Sequence, residues 1–285
     1  MAKKNSRKDI VAVVGSGGGM SCSYAAGAMV ALATEYRFTE PDFLIAGSGS
    51  TGTFAYYAAK QYDAITRVWT DTVFTSKFLN RFRFWRILDI DYLIDVIMKR
   101  DNAVDMRLVQ ESPSELLIAA TDADSGDLVY FSDKDREDQE EIFELLRASK
   151  AMPVAFNKFI SIDGHRYCDT ELSASLRMHI REAVRRGATK IIAINNVVPR
   201  IESSTAMAVW NRFRPKTFRS RYKEQWKELT EYRVPAGVRV ELLEPKNGTP
   251  VSTIQSTKKS IQKTYAMGYR DMLNHKGIRD LLGIN

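Results

Sequence analysis

The pattern of apolar positions opens with "DIVAVVG" (9–15), a run that starts near Ile10 and ends in glycine. A short unbroken apolar run closed by glycine predicts a strand buried on both faces. "SYAAGAMVALATEY" (23–36) then places small and apolar residues at helical spacing. "PDFLIAG" (41–47) predicts a second buried strand, and "TGTFAYYAAKQYD" (51–63) a return to helix. Strand, glycine-rich loop and helix thus occur twice in succession, which predicts a parallel sheet covered by helices.

The same reading continues along the chain. "SELLIAATDADSGDLVYFS" (114–132) predicts two strands joined at Asp124-Ser125-Gly126. "QEEIFELLRAS" (139–149) is an amphipathic helix with acidic residues in its first turn. "KFISIDGHRYCD" (158–169) predicts a hairpin turning at Asp163-Gly164. "RMHIREAVRRGATKIIAINNV" (177–197) predicts a helix closed by Gly187 and then a strand. "GVRVELLEP" (237–245) and "TKKSIQKTYAMGYRDMLNH" (257–275) predict a late strand and a late helix. No internal repeat or low-complexity linker divides the chain. The expectation is one α/β domain over 10–285, a central mostly parallel sheet with helices on both faces, after a basic tail over 1–9.

Composition narrows the setting. The chain has 285 residues, 44% of them hydrophobic, enough for a sizeable core. No apolar run is long enough to span a bilayer. The run Ile10 to Val14 is too short for a signal sequence, so a cytoplasmic protein is expected. The formal net charge of +7 favours a negatively charged partner. Two cysteines, Cys22 and Cys168, make no disulfide framework and read as small buried thiols. The histidines, His165, His179 and His275, are scattered and supply no metal-site spacing. No acidic loop has calcium-ligand spacing either. No metal or organic cofactor is therefore expected.

Two glycine-rich loops are the candidates for chemistry. "GSGGGMS" (15–21) lacks the lysine of a phosphate-binding loop, and Met20 stands where a dinucleotide fingerprint needs its third glycine. Consecutive glycines between a strand and a helix N-terminus leave N–H groups unblocked, which suits an oxyanion hole. A tight turn that needs only glycine's freedom is the competing reading. "SGSTG" (48–52) resembles a nucleophile elbow, G-x-S-x-G. Around Ser50 the flanking positions are Ser48 and Gly52; around Ser48 they are Ala46 and Ser50. Spacing therefore selects Ser50. For its base, the order Ser50, Asp169, His275 fits an α/β-hydrolase triad. His275 lies near the end of a polar helix, however, and reads as a surface residue. A carboxylate bonded directly to the serine hydroxyl is the histidine-free alternative.

Taken together, these blocks resemble the patatin-like phospholipases. "VAVVGSGGGMSCSYAAGAMVAL" (11–32) looks like the family's opening strand, G-G-G-x-R-G loop and small-residue helix, with Gly17, Gly18, Gly19 and Gly27 at its glycines. "SGSTG" follows at the family's spacing. "LLRASKAMPVAFNKFISIDGHRYCDTELS" (145–173) resembles the region around the family's catalytic aspartate, with Asp169 in that place. "RRGATKIIAINN" (185–196), "VRVELLEP" and "SIQKTYAMGYRDML" resemble its later strands and closing helix. Departures are Ser21 and Cys22 in place of arginine and glycine, Ser48 in place of the first elbow glycine, and Thr170-Glu171 after the aspartate. The resemblance implies a patatin-like fold and a lipid acyl hydrolase: Ser50 as nucleophile, Asp169 as base, N–H groups around Gly17, Gly18 and Gly19 as oxyanion hole, and an acyl-enzyme intermediate. Its implied substrate is a phospholipid or another acyl lipid. A non-catalytic lipid- or membrane-binding protein on the same scaffold is the alternative, and the Ser50-Asp169-His275 esterase a second one.

Two stretches combine basic and aromatic residues. "KFLNRFRFWRILDIDYLIDVIMKR" (77–100) sets Lys77, Arg81, Arg83 and Arg86 among Phe78, Phe82, Phe84 and Trp85. "WNRFRPKTFRSRYKEQWK" (210–227) sets seven basic residues among Trp210, Phe213, Phe218, Tyr222 and Trp226. Helices that pack their rings inward and show basic outer faces explain both. Peripheral contact with an anionic membrane is the functional reading, and it suits a lipid substrate. No nucleic-acid-binding module accompanies either stretch.

Overall fold

The apolar runs fold as adjacent parallel strands, β1 (Val11–Gly15) and β2 (Phe43–Gly47). These come from a computed structural model that describes residues 9–83, 86–170, 175–196, 205–254 and 256–284. The basic tail, but for Asp9, lies outside the described residues, as do Phe84, Trp85 and Glu171. β3 (Glu115–Asp122) extends the sheet beyond β2, and β7 (Lys190–Ile194) and β8 (Arg239–Leu243) extend it beyond β1, all parallel. Antiparallel strands finish the β3 side: β4 (Leu128–Ser132) and the hairpin β5 (Ile160–Ile162) and β6 (His165–Cys168). The eight strands form one sheet in the order β5-β6-β3-β2-β1-β7-β8, with β4 also on β3.

Alternation along the strands fills two cores, one on each face. Val13, Leu44, Ile118 and Ile192 join the larger core with α1 (Ser23–Thr34), α2 (Ser50–Ala58), α3 (Tyr62–Arg67), α4 (Met106–Glu111), α5 (Gln139–Lys150), α9 (Lys258–Leu273) and α10 (Lys276–Leu282). Ala12, Val14, Ile45 and Ile191 meet Ile180 and Ala183 of α6 (Leu176–Arg185) on the other face. α1 and α9 cross in direct backbone contact. A Cβ at Gly27 would lie 1.9 Å from Tyr265 O, and one at Gly268 equally close to Tyr24 O. Glycine is required at both places by that approach.

The two basic-aromatic stretches fold differently. Lys216–Glu231 is a regular helix, α8, preceded by α7 (Thr205–Arg212). The helix expected within 77–100 is instead a turn closed by a Leu79–Leu88 bridge, followed by a π-helical segment over Tyr92–Asp101. Arg83 braces the turn: its guanidinium donates to the carbonyls of Lys77 and Phe78 and pairs with Asp89. The side chain thereby wraps its own segment into a loop.

Candidate active site

The carboxyl ends of β1, β2 and β7 open on one edge of the sheet, where parallel α/β sheets carry their sites. Ser48 follows β2 immediately and has φ +48°, left-handed backbone for a non-glycine residue. Such a conformation costs on the order of 1–3 kcal/mol and persists only where its surroundings hold it. Here they do. Ser48 N donates to Ser149 Oγ at 3.0 Å, and Ser48 O accepts from Thr51 N at 3.2 Å and Thr51 Oγ1 at 2.9 Å. The turn sends Gly49 and Ser50 into α2.

Asp169 follows β6, which register with β3 places beside Thr121. Asp169 N donates to Ala151 O at 3.1 Å, and Thr121 Oγ1 donates to Asp169 O at 2.9 Å. The carboxylate, in a residue only 1% exposed, accepts from Ser48 Oγ at 2.8 Å through Oδ2. Thr170 joins the same lattice: its hydroxyl meets Ser149 Oγ at 3.0 Å and donates to Ala119 O. The threonine after the aspartate is thus a structural link. It also explains Gly47, since a Cβ there would lie 2.9 Å from Thr170 Cγ2.

The expected partnership of Ser50 with Asp169 is not the one the structure assembles. Ser50 Oγ donates to Ser16 O at 2.7 Å and accepts from Asn196 Nδ2 at 3.0 Å, and the residue is 0% exposed. Asn196 Nδ2 also donates to Ser16 O, and its Oδ1 accepts from Ala25 N. Ser50 therefore ties the ends of β1 and β7 to α2. Ser48 stands at the left-handed corner before the helix and Ser50 is the first residue of α2, and this separates the two hydroxyls. Gly52, the elbow glycine, lies on the far side of that turn against Met98 and the Lys150 stem.

The first glycine loop folds against this corner. Gly18 and Gly19 have φ +136° and +56°. A Cβ at Gly49 would lie 2.8 Å from both Gly19 O and Cys22 Sγ, so the two loops touch and Cys22 packs beneath Gly49. Gly19 and Gly49 are partly exposed; Gly17 and Gly18 are buried. Ser21, in the arginine position, spends its hydroxyl on Val251 O.

A narrow cavity of about 60 Å³ reaches this corner. Gly19, Ser48, Gly49, Lys150 and Asp169 line it together with Val68, Trp69, Val73, Phe78, Leu88 and Ile90. Ser50, Gly17 and Gly18 are not among its lining residues. Its walls are largely apolar. Lys150 and Asp169 are the charged side chains of the described lining. Burial pushes the Lys150 ammonium down to about 7, against the opposing pull of Asp169 and Cys22.

The histidines stand aside. His275 caps α10, accepting from Ile278 N through Nδ1 and meeting Leu242 O through Nε2, so both ring nitrogens serve backbone. His179 is fully buried against Tyr130 OH, and desolvation pushes its pKa down to about 4, which leaves it neutral. His165 is exposed beside Asp122. Both cysteines are buried, Cys22 Sγ against Ser16 O and Cys168 Sγ against Thr121 O, and burial pushes the Cys168 thiol up. Among the described residues no cluster of acidic, His and Cys side chains is placed to hold a metal ion.

Residue spacing missed Ser149, Lys150, Thr51 and Asn196. A signal for the first two was present, since the Ala-Ser-Lys at the end of α5 precedes the hairpin that carries the aspartate. Asn196 and Thr51 carried none.

With this geometry in view, the comparisons with known proteins are consistent. The patatin-like phospholipase family profile matches residues 13–180. The chain belongs to the patatin-like phospholipase family, which places it among lipid acyl hydrolases. Among solved structures it is similar to VipD from Legionella pneumophila, with a TM-score of 0.56 and 12% sequence identity over 97% of this chain and 67% of that one. At that identity the likeness shows the fold. A comparison with curated proteins gives no significant match.

Proposed function

We propose that the protein hydrolyses a carboxylic ester of a lipid, in first place a phospholipid acyl ester, with Ser48 as nucleophile and Asp169 as base. The observation that carries this reading is the 2.8 Å hydrogen bond from Ser48 Oγ to Asp169 Oδ2 in the wall of a largely apolar cavity. In this mechanism Asp169 takes the hydroxyl proton as Ser48 Oγ attacks the ester carbonyl carbon. Gly19 and Gly49, partly exposed in the cavity wall, are assigned the N–H groups that stabilise the developing oxyanion, and the N-terminus of α2 adds positive potential. Asp169 gives its proton to the departing alcohol, leaving an acyl-serine. A water, deprotonated by Asp169, then releases the fatty acid and restores the Ser48 hydroxyl. Gly17 and Gly18 shape the loop that presents Gly19. Ser50 is structural in this reading, and His275 has no part in it.

Access to lipid comes from α8. Lys216, Arg219, Lys223 and Lys227 recur at helical spacing, all exposed, beside Trp226 and near Phe213, which is 76% exposed. This stripe suits peripheral contact with an anionic bilayer. No helix among the described residues is long and apolar enough to cross one.

The test uses a fluorophosphonate probe, mass mapping of the adduct, and fatty-acid release from phospholipid vesicles and a short ester. An adduct on Ser48 with acid release is expected. An adduct on Ser50 overturns the assignment of the nucleophile. Lipid binding without adduct or hydrolysis leaves a binding protein.

A further inference from the structure

The last turn of α5 reaches the Ser48 turn from two sides. Ser149 Oγ accepts the Ser48 N–H at 3.0 Å. Lys150 Nζ donates to Thr51 Oγ1, and that hydroxyl donates in turn to Ser48 O at 2.9 Å. A hydroxyl has one proton, so Thr51, having given its own to Ser48, can only accept from the lysine. Both peptide groups of the strained residue are therefore held by two consecutive residues of one helix. The next residue, Ala151, accepts from Asp169 N. One short segment thus fixes the backbones of the hydroxyl and the carboxylate that meet.

Lys150 is a costly residue for this place. It is 5% exposed, its second hydrogen bond goes to Leu146 O at 3.3 Å, and its stem runs past Gly52. An isolated ammonium out of water is strongly unfavourable, and an apolar side chain of the same length fills such a space at lower cost. The proposed acyl transfer has no step for it. The opposite charge in the same cavity wall is Asp169, which with the Cys22 thiol acts electrostatically on the ammonium.

We propose that Lys150 is a positioning residue for the Ser48–Asp169 pair: through Thr51 it holds the strained Ser48 turn, and its charge keeps the Asp169 carboxylate ionised and ready to take a proton. The inference rests on the hydrolase reading and adds a function for a side chain that reading leaves idle. Burial lowers the proton affinity of the ammonium and Asp169 opposes that fall, so the charge is carried on the acid side of about pH 7, where it acts on the carboxylate.

The experiment compares pH profiles of kcat and kcat/KM for ester hydrolysis by wild type, Lys150→Met, Lys150→Gln and Thr51→Val. An opposite charge lowers a carboxyl's pKa, so removing it raises the pKa. Both lysine variants are expected to lose about tenfold or more in kcat at pH 7 with KM little changed. The acid limb of their profiles is expected to move to higher pH by about one unit. Thr51→Val is expected to lower kcat and leave the acid limb in place. If the acid limb of both lysine variants coincides with that of wild type, the charge has no such role and the proposal falls, whatever the rates. Failure of both to fold at pH 7 also overturns it, because Lys150 is then a structural prop. A wild type that neither hydrolyses ester nor labels with the probe is a separate result, which removes the hydrolase reading and this inference with it.

Discussion

The corner at Ser48 and the helix α8 carry the chain's polar chemistry in opposite ways. At the corner, Ser48, Asp169, Lys150, Ser149 and Thr51 are all buried, and each hydroxyl, amide or charge is bonded to another member. On α8 the charges face solvent, and the paired ones, such as Arg221 with Asp127, Glu224 and Glu228, are partly exposed. Low local dielectric makes each bond of the corner matter, while water and salt dilute each charge of the helix. Single substitutions should therefore be decisive at the corner and modest on α8, where the charges act as a sum.

That contrast breaks first at the hydrogen-bonded pair of Ser48 and Asp169. Ser48→Ala and Asp169→Asn are each expected to lower kcat/KM for ester hydrolysis by about a thousandfold or more. Ser50→Ala should keep most of the activity, because its hydroxyl serves Ser16 O. Steady-state kinetics on a soluble ester decides, and the reverse ranking of the two serines would refute the assignment.

Next come the close approaches. Gly49→Ala sets a methyl group 2.8 Å from Cys22 Sγ and Gly19 O, so the loops must part. A loss of about 1–3 kcal/mol in denaturant stability is expected, together with lost activity. Gly49→Ala combined with Cys22→Ala should recover part of the stability, though not the contact with the Gly19 carbonyl.

Third is the pH dependence of stability through Lys150. Its proton affinity is pushed down from the ordinary lysine value to about 7 in the folded protein. Between that value and the ordinary one, the unfolded chain holds the proton and the folded chain does not. Folding stability therefore rises with pH across this window, by about 1.4 kcal/mol per unit at most. Below pH 7 the slope from this group vanishes. Lys150→Met lacks it, so the stability difference between wild type and variant, followed by urea unfolding from pH 7 to 9.5, should grow in favour of wild type.

The smallest effects belong to α8. Reversing any one of Lys216, Arg219, Lys223 or Lys227 to Glu should cost about 1 kcal/mol or somewhat more of binding to vesicles rich in anionic lipid. Reversing all four should abolish it, with turnover of a soluble ester unchanged. Equal binding to neutral and anionic vesicles by wild type would remove the membrane role.

Much of the fold was legible in the pattern of residues. The apolar runs at 11–15 and 43–47 could only be buried strands, and glycine closed both where the site begins. The hairpin at Asp163-Gly164 was announced by its turn, where both residues adopt positive φ. The segment 77–100 was not legible, because the arginine that folds its turn acts through carbonyl groups that no side-chain pattern records. The site was half legible. The family resemblance and chain order pointed to Asp169, and composition to the glycine loop, and the structure brings both to the Ser48 corner. Between two serines two residues apart, the G-x-S-x-G spacing pointed to Ser50.

The sequence by itself determined that a strand would end at Gly47, that a helix would begin within a few residues, and that a small hydroxyl would stand at the turn. Those are consequences of local propensity and of burial along the chain. Only the tertiary structure decided which hydroxyl meets Asp169, because the helix begins at Ser50 and turns that side chain toward β1, while Ser48 alone remains at the left-handed corner. It decided as well that the end of α5 braces that corner, since hydrogen bonds between residues some hundred positions apart exist only once the sheet has brought them together.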